Sequence, residues 1–211
     1  MAAESPKQPA LHLTLPQTGC HIRPLSHANP TEAPSMSHHA NNPRIAKWMR
    51  NAFPSPYTLE SAESWIAFTE AQSPKLDFAI CKTIDASSDD DNNGSTTVTS
   101  VVIGAIGLKT REDVYRRTME VGYWIGEEYW GRGIAREAVE VFARWVFGNE
   151  EFKHVGRLEA EVFEGNKGSC KVLERVGFVF EGKRRGAVEK DGAVFDVLIY
   201  GLLKEDILSG K

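Results

Sequence analysis

The chain has 211 residues, 41% hydrophobic and 26% charged, the balance of a soluble globular protein with one domain and a real core. A formal net charge of −4 argues against bulk nucleic-acid binding, and no apolar run suits a membrane span or a secretory leader. Cys20, Cys81 and Cys170 are too widely spaced for a disulfide framework or a zinc site, so no metal is expected. By elimination the expected compartment is the cytoplasm, with the nucleus as an alternative.

Residues 1–10 read as a loose polar tail, 11–205 as a single domain and 206–211 as a C-terminal tail. Leu11, Leu13 and Leu15 alternate with polar residues, a strand pattern that Pro16 ends. Cys20 to Leu25 is its expected hairpin partner across Gln17-Thr18-Gly19. Residues 26–38, rich in Pro, Ser and Asn, read as a loop, with His38 and His39 in or beside it as solvated side chains. Asn42 and Pro43 mark a helix start, carrying Ile45, Trp48 and Met49 inward until Pro54 and Pro56. Thr58 or Ser61 caps a second helix, with Leu59, Ala62, Trp65, Ile66 and Phe68/Thr69 along one side. Between the two helices the prolines are expected to hold Phe53 and Tyr57 in an exposed loop. Phe78 to Ile84 and Val98 to Ile106 read as strands, joined by an acidic, low-complexity hairpin insertion over 85–97 with no catalytic role.

A further strand puts Met119, Val121, Tyr123 and Ile125 on one face and Glu120, Gly122 and Trp124 on the other. It runs into Tyr129-Trp130-Gly131-Arg132-Gly133-Ile134-Ala135-Arg136. Apolar residues then recur at Ile134, Ala138, Val141, Phe142 and Trp145, the spacing of an amphipathic helix. From Gly126 to Ile134 no Ser, Thr, Asp or Asn is available as an N-cap, so the first helical N–H groups face outward with the positive end of the dipole. Such a helix start suits a phosphate or pyrophosphate. The loop is neither a Walker sequence nor the dinucleotide fingerprint, which fails where Arg136 replaces the third glycine. Leu158, Ala160 and Val162 point inward from the next strand. Asn166 then caps a helix bearing Ser169, Val172, Leu173 and Val176 on one face, stopped by Gly177. Phe178 to Glu181 reads as a strand, Lys183-Arg184-Arg185 as a basic turn, Ala193 to Leu203 as the last strand, and 202–206 as its tail.

Three strings carry a family resemblance. Trp130-Gly131-Arg132-Gly133-Ile134-Ala135 resembles the pyrophosphate loop Q/R-x-x-G-x-G/A of the GNAT superfamily of N-acetyltransferases, with Trp130 in the Gln/Arg position. Asn42-Pro43-Arg44, Trp48-Met49 and the run Pro56 to Ile66 resemble the RimJ/RimL-type branch, as does N-x-x-S-x-x-V-L-E-[KR]-x-G-F over 166–178. The resemblance covers roughly residues 10 to 205. It implies an α/β fold of GNAT type: a twisted mixed, largely antiparallel sheet flanked by helices, with a bulged strand splaying from its neighbour to hold the cofactor. It also implies acetyl-CoA as co-substrate, held by Trp124, Ile125, Gly126, Trp130, Gly131, Arg132, Gly133, Ile134, Ala135, Arg136 and Asn166. The two early helices and their joining loop would form much of the acceptor pocket.

The implied chemistry is direct acetyl transfer to a primary amine, on a protein N-terminus or a small molecule. Glu120 is the expected general base, with Glu159 and Glu161 in reserve, and Ser169 is expected beside the leaving thiolate. Read locally, Glu120 is equally a solvated strand carboxylate and Ser169 a helix-end residue. The whole chain also fits a non-catalytic acyl-CoA-binding regulatory module. Expected partners are the amine acceptor alone, with neither nucleic acid nor membrane, for a monomer or a homodimer.

Overall fold

In the computed structural model, which describes residues 11–86 and 97–208, eight strands form one sheet. They are β1 (Leu13–Leu15), β2 (Cys20–Arg23), β3 (Asp77–Ala86), β4 (Thr97–Thr110), β5 (Thr118–Ile125), β6 (Arg157–Phe163), β7 (Val179–Lys190) and β8 (Ala193–Leu203). Their spatial order is β1-β2-β3-β4-β5-β6-β8-β7, and β5–β6 is the parallel pair in an otherwise antiparallel sheet. The helices are α1 (Glu32–Ala40), α2 (Pro43–Ala46), α3 (Leu59–Ala71), α4 (Ile134–Gly148), α5 (Lys167–Val176) and α6 (Lys204–Leu208). No helix among the described residues is long and apolar enough to cross a membrane.

Each face of the sheet has its own core. On one, Ile134, Ala138, Phe142 and Val146 of α4 and Leu173 of α5 pack onto Ile80, Ile103, Met119, Val121, Leu158 and Ala160. On the other, Met36, Ala40, Ile45, Ala62 and Ile66 from α1–α3 cover Ala79, Cys81, Val102, Ala105 and Trp124. The alternation read in β5 therefore holds: Met119, Val121, Tyr123 and Ile125 join the α4 side and Trp124 the α1–α3 side.

Several local expectations are corrected. Residues 26–38 do not stay a loop, because α1 begins at Glu32. Pro34 lies in its first turn, where a missing N–H costs nothing, and the buried Glu32 carboxylate holds the entry by pairing with Arg23 and accepting the Ser26 N–H. Tyr57 is not exposed: its ring packs against Phe53, which is half-buried and meets Trp124. On α3, Ala62, Ile66 and Thr69 face inward, whereas Leu59 and Phe68 are exposed. The basic run 183–185 lies within strand β7 rather than a turn, its lysine and Arg184 paired with acids of neighbouring strands and loops. Residues 204–208 form α6 in place of a tail, with Ile207 buried.

The β3–β4 pairing runs out to Ala86↔Thr97, and the rest of the acidic insertion lies outside the described residues, as do the N-terminal tail and 209–211. The bulge expected in β5 is in β4 instead. β4 and β5 pair without a break from Gly104↔Ile125 to Thr110↔Met119, while Ile80 faces Gly104 and Cys81 faces Val102, leaving Ile103 as the extra residue. On the β5 side the register continues one step further, the Ile103 carbonyl accepting the Gly126 N–H at 2.8 Å.

Candidate active site

The site is built around a fork. β5 and β6 pair over only three positions, Thr118↔Arg157, Met119↔Leu158 and Glu120↔Glu159. Beyond them β5 stays with β4 as far as Ile125, while β6 follows β8 to Phe163↔Val197. The strands are pulled apart by their outer partners, and Glu120 stands at the apex.

Just past the open end of β5, a single 3₁₀ turn over Glu127–Tyr129 leads into the glycine loop. Gly131 (φ +73°) and Gly133 (φ +81°) adopt the left-handed conformation that other residues resist. Gly133 serves as the N-cap of α4 without any side-chain cap, and its carbonyl accepts the Glu137 N–H at 3.1 Å. Among the described residues no hydrogen bond takes up the backbone N–H of any residue from Gly131 to Arg136. The helix start is thus a row of outward donors with Arg132 and Arg136 exposed beside it. Trp130, where a polar residue was expected, folds back to donate its indole N–H to the Ile125 carbonyl at 2.7 Å, with the Arg44 guanidinium over the ring. Trp124, Ile125 and Ile134 are buried; Ala135 is half-buried behind the loop.

On the α4–α5 side, Asn166 accepts the Ser169 N–H at 3.2 Å, as expected for a cap. The Ser169 hydroxyl itself is 2.9 Å from the Tyr123 hydroxyl, joining the open arm of β5 to the start of α5. Burial pushes the Tyr123 phenol up to about 12, so it stays protonated at neutral pH.

The α1–α3 side carries the acids. Glu120 is buried, not solvated, and meets Arg50 at 2.6 Å, Arg111 at 3.3 Å and Lys109 at 3.5 Å. Arg111 also binds Glu159 at 2.5 Å and Glu161 at 3.3 Å, and Arg184 holds Glu161 at 2.6 Å. Burial alone would raise the Glu161 carboxyl, but the Arg184 hydrogen bond and the charges of Arg184, Arg50 and Arg111 outweigh it and hold it low. On the same segment, between α2 and α3, Phe53 meets Trp124 with ring centroids 5.9 Å apart, and Trp48 meets Phe195 of β8 at 6.5 Å. The β7–β8 hairpin is tied to this segment also by Lys190, whose Nζ donates to the Asn51 side chain at 3.0 Å.

Arg50, Arg111 and Tyr123 had no signal of their own in the sequence, since they meet partners on other elements: Glu120 and Glu161 for Arg50, Glu120, Glu159 and Glu161 for Arg111, and Ser169 of α5 for Tyr123. His39 is likewise buried rather than solvated, packed edge-on against Tyr129 and 3.0 Å from Glu128, with His38 3.9 Å from the same oxygen. Two grooves, about 170 Å³ beside α1 and α3 and about 360 Å³ along α4 and α5, the latter lined in part by Arg136, do not include Glu120, Ser169 or the loop glycines.

Known proteins of one family resemble this chain in sequence and fold. A family model described as an acetyltransferase (GNAT) domain matches residues 21–179. A putative ribosomal N-acetyltransferase of Bacillus subtilis, YdaF, is 36% identical over 103 residues, covering 49% of this chain and 54% of its own length. The ribosomal protein uS5-alanine N-acetyltransferase of Escherichia coli is 28% identical over 109 residues, covering 50% and 55%. The chain thus spans about half the length of these relatives. Among solved structures, a probable acetyltransferase superposes with a TM-score of 0.70 at 26% identity, over 93% of this chain and 98% of its own. RimJ of Mycobacterium smegmatis, in complex with CoA-disulfide, superposes with a TM-score of 0.67 at 22% identity, over 93% and 87%.

Proposed function

Because the chain belongs to the GNAT acetyltransferase family, we propose that it binds acetyl-CoA at this fork and transfers the acetyl group directly to a primary amine. The observation that carries the reading is the row of free N–H groups from Gly131 to Arg136, immediately beyond the end of β5. In this reading they hold the pyrophosphate, with Arg132 and Arg136 at its rim and Trp130, Ile134 and Ala135 shaping the loop. The pantetheine arm lies in the fork against the backbone of Trp124, Ile125 and Gly126, with Asn166 at its far side.

The acceptor's ammonium first passes one proton to Glu120 directly or through water. The neutral amine nitrogen then attacks the thioester carbonyl carbon, the C–S bond breaks, and the nitrogen's second proton is relayed to the departing thiolate. A backbone N–H of the splayed strand polarises the carbonyl. Ser169 donates to the departing sulfur and is itself backed by the protonated Tyr123. No covalent acyl-enzyme is needed, and Cys81 and Cys20 are poor nucleophiles: both are buried and their thiols are raised by that burial. Relatives named for an alanine of ribosomal protein uS5 make a peptide N-terminus the first acceptor to try. The rival reading, a non-catalytic acyl-CoA-binding module, draws on the engagement of Glu120 by three cations.

Titration calorimetry with acetyl-CoA tests the cofactor site. Gly133→Glu, which puts a carboxylate in the anion site, is expected to abolish binding, and Arg132→Glu, on an exposed side chain, to weaken it without strain in the backbone. Wild-type affinity in both folded variants would remove the loop from the account.

A further inference from the structure

We propose that the space between Glu120 and Glu161 is the acceptor's ammonium subsite, and that Arg50 fills it as a gate until a cationic amine displaces it. The proposal rests on the acetyl-transfer reading of the same fork, and it names the acceptor class: amines that are protonated when they arrive.

One nitrogen carries the argument. Arg50 Nη2 lies 2.6 Å from Glu120 Oε1 and 3.1 Å from Glu161 Oε2. Glu120 is the last residue of β5 paired to β6, and Glu161 lies on β6 beyond that pairing. A single cationic nitrogen therefore bridges the two arms just where they part. A primary ammonium carries the same charge and three donors, so a place that satisfies Nη2 satisfies it as well.

The two sides of this contact differ in freedom. The Arg50 side chain is 46% exposed, on the segment between α2 and α3, whereas those of Glu120 and Glu161 are 7% and 14% exposed on paired strands. The carboxylates are the fixed partners and the guanidinium is the one that can withdraw to water. Its departure does not strand them. Arg111 remains on Glu120 Oε2, and Arg184 and Arg111 on Glu161 Oε1. The oxygens vacated, Glu120 Oε1 and Glu161 Oε2, are then free for the acceptor, with Lys109 Nζ the nearest other cation to Glu120 Oε1 at 3.5 Å. The acceptor's own ammonium thereby frees the lone pair of Glu120 to which its proton is to pass. A weakly basic aromatic amine, uncharged at neutral pH, has no charge with which to displace Arg50.

The test needs no knowledge of the natural acceptor. Methylguanidinium and ethylammonium are titrated into wild type, Arg50→Ala and Arg50→Ala/Glu161→Gln, with binding read by ligand NMR. Circular dichroism confirms that the variants fold. Arg50→Ala is expected to bind both cations at one shared site, each displacing the other, at least about tenfold more tightly than wild type, as loss of one competing charge-assisted contact implies. Adding Glu161→Gln is expected to reverse that gain. Equal binding by wild type and Arg50→Ala, or the absence of competition between the two cations, overturns the proposal. Failure of the acetyl-transfer reading would look different: the variant would bind the cations as described while no amine became acetylated.

Discussion

A carboxylate in contact with three cations is committed before any substrate arrives, and this decides how Glu120 can serve as a base. Its oxygens already accept from Arg50 and Arg111 and pair with Lys109, so the amine must compete for them. Glu120→Gln keeps the size and removes the proton acceptor. Turnover is expected to fall by about 10² or more, with the loss shrinking as pH rises because the free amine then arrives deprotonated. A pH–rate profile like that of wild type would return Glu120 to a purely structural part. At the thiolate, Ser169→Ala is expected to lower kcat far more than it weakens acetyl-CoA binding, and Tyr123→Phe to lower kcat less, since the phenol acts through the serine. Steady-state kinetics alongside calorimetry separates these. Lost stability with unchanged turnover per folded molecule would mean that both residues only pin α5 to β5. The sequence could place Glu120 on one face of its strand by alternation and Ser169 within its helix by the 166–178 string. Arg50 and Tyr123 were not legible as site residues, because they reach their partners across 70 and 46 residues, a distance that no local period reports.

Among the elements, α4 and α5 were the most readable. Each combines a strong apolar stripe with terminal residues that state where the helix starts or stops: Gly133 for α4, Asn166 and Gly177 for α5. α1 was hidden by Pro30, Pro34 and its serines, and became a helix because Met36, His39 and Ala40 are buried against the sheet and Tyr129. His39 makes this packing pH-sensitive. Burial lowers its ring from the ordinary histidine value, with the opposing Glu128 charge too weak to compensate. The sign follows from linkage. A histidine lowered in the fold favours the native state fully above its unfolded value, near 6.5, and that contribution is lost as pH falls through the folded one. Wild type is therefore expected to lose more thermal stability between about pH 7 and pH 5 than His39→Gln, as followed by Tm. Parallel losses in the two proteins would show that the ring titrates without consequence for α1.

Over the whole molecule the sheet divides the work. The α4–α5 face carries the glycine loop, Ser169 and Tyr123, and the α1–α3 face carries Glu120 with its arginines, on either side of the fork. The order of elements along the chain was readable from its hydrophobic periods and glycines. The order of strands in the sheet was not, because β8 enters between β6 and β7, and it is this insertion that draws β6 away from β5. Nor did the sequence reveal that the β7–β8 hairpin reaches the segment between α2 and α3 through Lys190 and Phe195. The central claim, that this fork acetylates amines, is tested most directly by incubating the protein with acetyl-CoA and a panel of peptides and small primary amines. Free thiol and acetylated amine are measured together by absorbance and mass spectrometry. Equal amounts of the two, dependent on a protonatable amine and abolished by Gly133→Glu, are the predicted result. Tight binding of acetyl-CoA with no amine acetylated would contradict it, and would make the chain a binding module.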